Sequence, residues 1–384
     1  MSAEKHHPEK LPLRLLVAVG SRRDRVCSIG AFARAEAEAM RSVFARVDVL
    51  EPDARDRYPI VDRAMCPDVI FFHAPSRHDR RRPWNVLVSA VKLRAAFPRA
   101  RFVSIVHEFS EAPFHWKIRQ KIILRLSNAA IVNSEADLEG VKGFAGKILR
   151  LRLGPTLFFE DLLDKPSAQK TGVRRAGARS ALLSMPALQE AGLKSDEKWL
   201  LHPGLVTPGK GVDQLGKLAG ILPAGTRLIV MGGKGPKKKD ALFAKKAIAE
   251  LRGSFGDKIS FIDSPADALF ASMLLAADLV VLAYDAGLSE RRSSFLSAMS
   301  CGANVWTTTG RFTSPLGIDQ SGAHQISSAE WIAGAPRALQ SIAAALMEDE
   351  PTQLNRRVRN LRWASTRSWR ARAAEIRDFL AALS

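Results

Sequence analysis

The sequence predicts an α/β protein built from two doubly wound, Rossmann-like halves, and three observations carry that expectation. Short β-type runs alternate with amphipathic helical stretches from residue 13 to residue 154. The rhythm breaks over 155–196 and resumes from 198 to 309. With 384 residues, 46% of them hydrophobic, the chain is long enough to bury two cores rather than one.

The first run, "LRLLVAV" (13–19), is continuously apolar, as suits a strand covered on both faces of a parallel sheet. It ends at Gly20, and after a polar loop Gly30 opens the helical stretch "AFARAEAEAMRSVFA". Strand-like runs follow at 47–52, 68–74 ("DVIFFHA"), 101–108 ("RFVSIVHE"), 129–135 ("AAIVNSE") and 147–154 ("KILRLRLG"), with amphipathic segments at 84–97 and 115–127. Residues 1–155 therefore read as an N-terminal Rossmann-like domain.

Segment 156–196 contains "DKPSAQKTGVRRAGARS", rich in basic and small residues, and reads as an interdomain linker with one or two short helices. The second series is "KWLLHPG" (198–204), "RLIVMGG" (227–233), "KISFIDS" (258–264), "ADLVVLAY" (277–284) and "ANVWTTT" (303–309), which places a C-terminal Rossmann-like domain over 197–351. The stretch 352–384 has a helical pattern, carries eight arginines against two acids, and is expected to pack back toward the N-terminal domain. In such an arrangement the two domains face each other across a cleft. Open α/β sheets bind ligands at the carboxyl ends of their strands.

Fifty-eight basic residues against 39 acidic ones leave a net charge of +19, which favours anionic partners. The basic residues are dispersed, only two tyrosines occur, and no nucleic-acid motif appears, so nucleic acid is not the expected partner. No apolar run reaches the roughly 18 residues of a membrane span. The start "MSAEKHHPEKLP" lacks the apolar core of a secretory signal, so a cytoplasmic location is expected. Cys27, Cys66 and Cys301 are scattered thiols without metal-ligand spacing. Basic segments at 77–82 ("RHDRRR") and 115–125 ("HWKIRQKIILR") lie beside Trp84 and Trp116, which suits peripheral contact with an anionic membrane surface.

Three strand ends carry candidate chemistry. In "HPGLVTPGKG" (202–211), Gly204 ends a strand and Lys210-Gly211 begins a helix; small residues let the backbone approach an anion, and Lys210 adds a full charge. "VMGGKGPKKK" (230–239) is a second glycine-rich, basic turn. In "GLSERRSSFLSAMSCGANVW" (287–306), an acid and two arginines precede a helix beginning near Ser293. Ser293 or Ser294 is expected to cap that helix while their backbone N–H groups receive phosphate oxygens, with Arg291 and Arg292 adding charge.

Taken in order, these motifs resemble those of the family-4 retaining glycosyltransferases of the GT-B fold, which transfer a sugar from a nucleotide-diphosphate donor. The resemblance rests on the Gly-x5-Lys-Gly loop (Gly204, Lys210, Gly211), the Gly-x-Gly-Pro turn (Gly233, Gly235, Pro236), "SMLLAADLVVLAY", and "FLSAMSCGANVWTT" beside the family's Glu-Ala-Met-Ala-x-Gly-x-Pro-Val pattern. In the first half "DVIFFHA", "VSIVHE", "AAIVNSEAD" and "KILRLRLGP" fall in the expected order, and Trp369 stands where the family's last helix carries a Trp.

The resemblance implies a donor site in the C-terminal half. Lys210 would contact the diphosphate, groups around Ser293 and Ser294 would hold phosphate oxygens, and Asp263 would flank the base. It implies an acceptor site in the N-terminal half, with Gly30 at a helix entrance and His107 matching the family's active-site histidine. The acceptor expected is a lipid-linked sugar or cell-envelope polysaccharide. No metal is expected, because Lys210, Arg292 and the helix dipole can offset the charge and no Asp-x-Asp motif occurs. The chain departs from the family where two glutamates eight positions apart normally stand: Ser289 and Ser297 occupy those places. Glu290 lies one residue after the first and is expected to do part of its work. Leu205 replaces the arginine that usually follows the glycine of the lysine loop. The replaced glutamates keep open a non-catalytic shell of the same fold that binds anionic ligands.

Overall fold

The computed structural model describes residues 10–19, 28–52, 63–73, 83–107, 109–110, 112–235, 238–290, 292–313 and 316–383. The strands are β1 (Leu11–Ala18), β2 (Phe44–Leu50), β3 (Val69–His73), β4 (Arg101–Val106), β5 (Ala129–Val132), β6 (Lys147–Arg150), β7 (Lys198–Pro203), β8 (Thr226–Met231), β9 (Ile259–Ile262), β10 (Leu279–Leu282), β11 (Val305–Thr309) and β12 (His324–Ser327). The helices are α1 (Ser28–Met40), α2 (Pro83–Ala96), α3 (Phe114–Leu126), α4 (Glu135–Val141), α5 (Glu160–Asp164), α6 (Ala168–Leu183), α7 (Pro186–Glu190), α8 (Lys238–Phe255), α9 (Asp267–Ala276), α10 (Ser293–Ser300), α11 (Ser328–Ala333), α12 (Pro336–Met347), α13 (Glu350–Ser365) and α14 (Trp369–Ala381). Contacts divide the chain into two units, residues 1–156 with 367–384, and residues 157–366.

The first unit is a parallel sheet in the order β2-β1-β3-β4-β5-β6. Its central strands are apolar on both sides because both sides are covered. Leu15 and Val17 join a core with Ala33, Ala37 and Met40 of α1 and Ile376 and Leu380 of α14. Leu16 and Ala18 point the other way, into a core with Ala90 and Leu93 of α2 and Ile123 of α3. Each Leu, Val, Ile or Met side chain among these contributes about 1.5–3 kcal/mol by leaving water, and each alanine methyl less. Trp116, expected at a membrane-facing surface, is buried at 4% exposure, whereas Trp84 is 62% exposed. The basic run at 77–82 lies outside the described residues, apart from its place just before α2.

The second unit is also a six-stranded parallel sheet, in the order β12-β11-β10-β7-β8-β9. β12 is absent from the sequence reading: "HQIS" is too short and too polar to stand out, and it becomes a strand by pairing with β11. Segment 156–196, read as a linker, differs more. Its helix α6 belongs to the second unit, where Arg175 and Arg179, one turn apart, hold Asp278 at 2.6 and 2.8 Å. Asp278 also accepts the Trp199 backbone N–H at 2.7 Å. Burial would raise its pKa, but Arg179 and Arg175 hold the carboxyl below its ordinary range. The basic residues that mimic a linker form one face of a packed helix.

The C-terminal arginines divide between the units in the same way. On α13, Arg357 is fully buried and donates to the carbonyls of Leu275, Ala277 and Gly302, capping the carboxyl ends of α9 and α10. After Thr366 the chain enters the first unit, where Arg372 on α14 meets Glu36 of α1 at 3.0 Å, with exposures of 1% and 0%. The Trp369 indole N–H donates to Pro155 at 2.8 Å. No described helix is long and apolar enough to cross a membrane.

Removing one partner of a buried pair leaves the other charge unpaired. Arg372→Met is therefore expected to lower unfolding free energy in urea by about 3–5 kcal/mol, with much of that loss recovered in Glu36→Gln/Arg372→Met. Although burial raises the Glu36 pKa, His73 and Arg372 bring it below its ordinary value of 4.5. Its contribution is thus complete above pH 4.5 and is lost as pH falls through the folded value.

Candidate anion-binding site

Counted from β7, the second sheet has the strand order 3-2-1-4-5-6, which reverses between β7 and β10. The loops leaving those two strands flank the switch point, where open α/β sheets bind ligands. Two glycines bring the loops together. Gly204 follows β7 with φ 113°, and Gly211 has φ 63°. A Cβ on Gly211 would stand 2.1 Å from the carbonyl oxygen of Ala283, so only glycine lets the lysine loop lie on the end of β10. The Asp285 N–H donates to Gly209 at 3.3 Å across the same contact.

Two cations meet there. The position a Cβ would take on Gly204 is 3.3 Å from Lys210 Nζ and 3.9 Å from Ser294 Oγ, so the ammonium and the entrance of α10 converge over that glycine. Arg292 is the residue preceding α10, with its guanidinium carbon 4.6 Å from the Tyr284 ring centre. The Tyr284 hydroxyl is 2.8 Å from Ser294 Oγ. Burial, and then the nearby Arg292 charge, push the Lys210 pKa down to about 8. Among the described residues neither cation forms an ion pair, and Arg292 Nε is buried without a hydrogen-bond partner. Two like charges held together at such a cost favour an anion between them.

His202, on β7, adds an acceptor. Its Nδ1 lies 3.0 Å from the carbonyl of Val281, which can only accept, so Nδ1 carries the proton. Nε2 is then a buried lone pair with no partner among the described residues. Burial and the Lys210 charge lower the pKa to about 4, and the ring is neutral at pH 7. Asp285 sits beside Arg292 with its pKa raised by burial and by Asp213. Burial pushes Tyr284 up to about 12, so its hydroxyl stays protonated.

The sequence expectation for α10 needs correction at its cap. Arg292, not a serine, occupies the capping position, and no side-chain hydrogen bond caps the helix. Ser293 and Ser294 are its first two residues, and the Ser294 hydroxyl pairs with Tyr284 instead. The physical reason is geometric: the Tyr284 ring at the end of β10 holds both Arg292 and Ser294. The consequence is a first helical turn whose backbone N–H groups are not taken by a capping side chain. Glu290, in the turn before, is buried at 8% exposure, and Ser297, a turn inside α10, at 2%. Asp263 lies at the end of β9, where Oδ1 accepts from Ser264 Oγ at 2.9 Å and stands 3.2 Å from the Cβ position of Gly233. Arg291 and Pro236 lie outside the described residues.

His107 and Gly30 belong to the first unit. Gly30 is buried in the first turn of α1. His107 follows β4 and is buried, with Nε2 3.3 Å from His73 Nδ1 and Nδ1 3.2 Å from Asn133 Nδ2. His73 Nε2 lies 3.0 Å from Glu36 Oε2, and the chain ends at Arg372. The donors run in one direction along this series: Asn133 Nδ2 donates to His107 Nδ1, His107 Nε2–H donates to His73 Nδ1, and His73 Nε2 faces the Glu36 carboxylate. Both ring nitrogens of His107 are thereby engaged within the protein.

Several of these residues are missing from the sequence reading: His202, Tyr284 and Asp285 in one unit, Glu36, His73 and Arg372 in the other. A signal existed for Glu36, which shares the buried stripe of Phe32, Ala33, Ala37 and Met40 on α1 and is the one charge on it. His73 and His202 close apolar strands, where a polar residue is unusual. Arg372 carried no signal, because its partner is 336 residues away.

No family profile and no curated protein matches the chain. Solved structures do. A sucrose-phosphate synthase from Thermosynechococcus elongatus superposes with a TM-score of 0.65 at 15% identity, over 97% of this chain and 99% of its own. HepE from Anabaena, in complex with UDP and glucose, gives 0.61 at 16% identity, over 96% and 100%. WaaG, a glycosyltransferase involved in lipopolysaccharide biosynthesis, gives 0.56 at 15% identity, over 95% and 99%. The chain has the GT-B fold of these proteins.

Lys210 loses its charge as pH rises through about 8. Sulfate, whose own charge is constant over that range, is expected to bind about tenfold more weakly at pH 9 than at pH 7 by calorimetry. Lys210→Met should bind weakly at both values and remove the pH dependence.

Proposed function

We propose that the protein is a glycosyltransferase that moves a sugar from a nucleotide-diphosphate sugar to a lipid-linked or polysaccharide acceptor, with retention of anomeric configuration, at an anionic membrane surface of the cytoplasm. The observation that carries this reading is the pair Lys210 and Arg292 at the entrance of α10, neither in an ion pair among the described residues, with Lys210 Nζ over Gly204. That arrangement suits a diphosphate better than a single carboxylate. The fold shared with HepE, whose structure contains UDP and glucose, supports a nucleotide as the rest of the ligand.

In the transfer, the bond between C1 of the sugar and the phosphate oxygen breaks and the acceptor oxygen bonds to C1. Negative charge collects on the departing nucleoside diphosphate, which also takes the acceptor proton. Lys210, Arg292 and the N–H groups of Ser293 and Ser294 stabilise that charge, being already oriented before it develops. This accounts for transfer without a metal. Asp263, at the next strand end, flanks the base, and Gly211 keeps the lysine loop seated. Glu290 is assigned to the reacting sugar, in part replacing the glutamate that Ser289 displaces; Ser297 leaves the ribose with a hydroxyl rather than a carboxylate. On the acceptor side, Gly30 admits the substrate to a helix entrance. His107 orients a sugar or phosphate by exchanging one of its two ring contacts.

The serines at 289 and 297 favour a second reading, a non-catalytic shell that binds nucleotide and transfers nothing. Nucleoside-diphosphate calorimetry without magnesium, followed by single-turnover transfer with the donor so found, separates the two. Lys210→Ala is expected to weaken nucleotide affinity by about 10–100-fold, the range for a hydrogen bond to a charged group; unchanged affinity would remove Lys210 from the site. Glu290→Gln should lower turnover far more than affinity, because its contacts are to the reacting sugar. Arg292→Ala should weaken both, its charge acting on the diphosphate in ground and transition states alike. Near-wild-type values for both variants would remove these residues from the site.

A further inference from the structure

We infer that α2 and α3 of the first unit form a two-helix ridge that inserts apolar side chains into an anionic phospholipid bilayer. The inference rests on the membrane partner proposed above and names the surface that meets it. On α2, Trp84, Val88 and Val91 are 62%, 47% and 47% exposed; on α3, Phe114, Ile118 and Ile122 are 80%, 44% and 40% exposed. Spacings of three and four residues put each trio on one side of its helix. The two helices pack together. Arg119, between Ile118 and Ile122, lies with its guanidinium carbon 4.7 Å from the Trp84 ring centre, so the stripes adjoin there.

Single exposed apolar residues are ordinary, but six on two adjoining helices form a patch that water disfavours. The charge pattern names the occupant. The two helices carry six cations, Lys92, Arg94, Lys117, Arg119, Lys121 and Arg125, and no acid. Apolar stripes edged only by cations fit the interface of an anionic bilayer, where the stripes reach the acyl boundary and the cations stay among the headgroups. An aromatic at the N-terminal end of each helix, Trp84 and Phe114, suits the same depth.

The full chain provides its own probe, because six of its seven tryptophans are buried and Trp84 is not. On vesicles of phosphatidylcholine with phosphatidylglycerol, but not of phosphatidylcholine alone, the protein is expected to co-sediment with a blue shift of Trp84 emission that Trp84→Phe abolishes. Phe114→Ser/Ile118→Ser should lower the partition coefficient at least about tenfold at every salt concentration. Lys92→Glu/Arg125→Glu should lower it mainly at low salt, where screening is weak. All four positions are solvent-exposed, so circular dichroism and nucleotide calorimetry should stay unchanged, which keeps failure of the ridge distinct from failure of the transferase reading. Equal binding by the double serine variant, equal binding to neutral vesicles, or a wild-type dimer in light scattering that the serine variant dissociates would each overturn the inference, the last by assigning the ridge to a second copy.

Discussion

Between β7 and β10 the second sheet reverses the direction of its winding, and the chain leaving each strand turns onto a different face. The turn after β7 carries Val212 and Leu215 into the core beside α8 and α12, whereas α10 packs against α9 and α13. Neither connection covers the gap between the two strand ends. Every feature of the candidate site follows from that opening: the lysine loop reaches into it from one side, the entrance of α10 from the other, Gly204 leaves it without a side chain, and Gly211 lets the loop lie on the end of β10.

The opening is then charged in one sense. Lys210 and Arg292 repel each other, and a protein that wanted only stability would separate them or supply a carboxylate. Instead, Asp285 beside Arg292 is pressed by Asp213, and His202 presents a lone pair beside Lys210. Stability is recovered at a distance. Arg357 ties down the far ends of α9 and α10, and Asp278 anchors α6 against β10 through two arginines. These paired charges tie down the helices that flank the site.

The first unit uses the same economy differently. Its buried polar groups form one linked series, from Arg372 through Glu36 and His73 to His107, and they occupy the ends of β3 and β4 beneath α1. What it leaves unpaired is apolar surface, on α2 and α3. The two units thus expose opposite kinds of incompleteness, a pair of bare cations in one and a basic-edged apolar ridge in the other. Each calls for a different chemical partner.

The strands were legible because burial on both faces forces continuous apolar runs, and eleven of the twelve show in the sequence within a few residues of their observed ends. Gly204, Lys210 and the α10 entrance were legible because anion-binding turns need small residues and charge close together in sequence. The capping residue of α10 was misplaced, since it depends on Tyr284 from the preceding strand end. The packing of α6 was not legible, since Arg175 and Arg179 have meaning only with Asp278, 99 or more residues away. Local rules of spacing and burial determine strands, helices and turns from the sequence alone. Which charge meets which is a property of long-range pairing, and only the tertiary structure decided it.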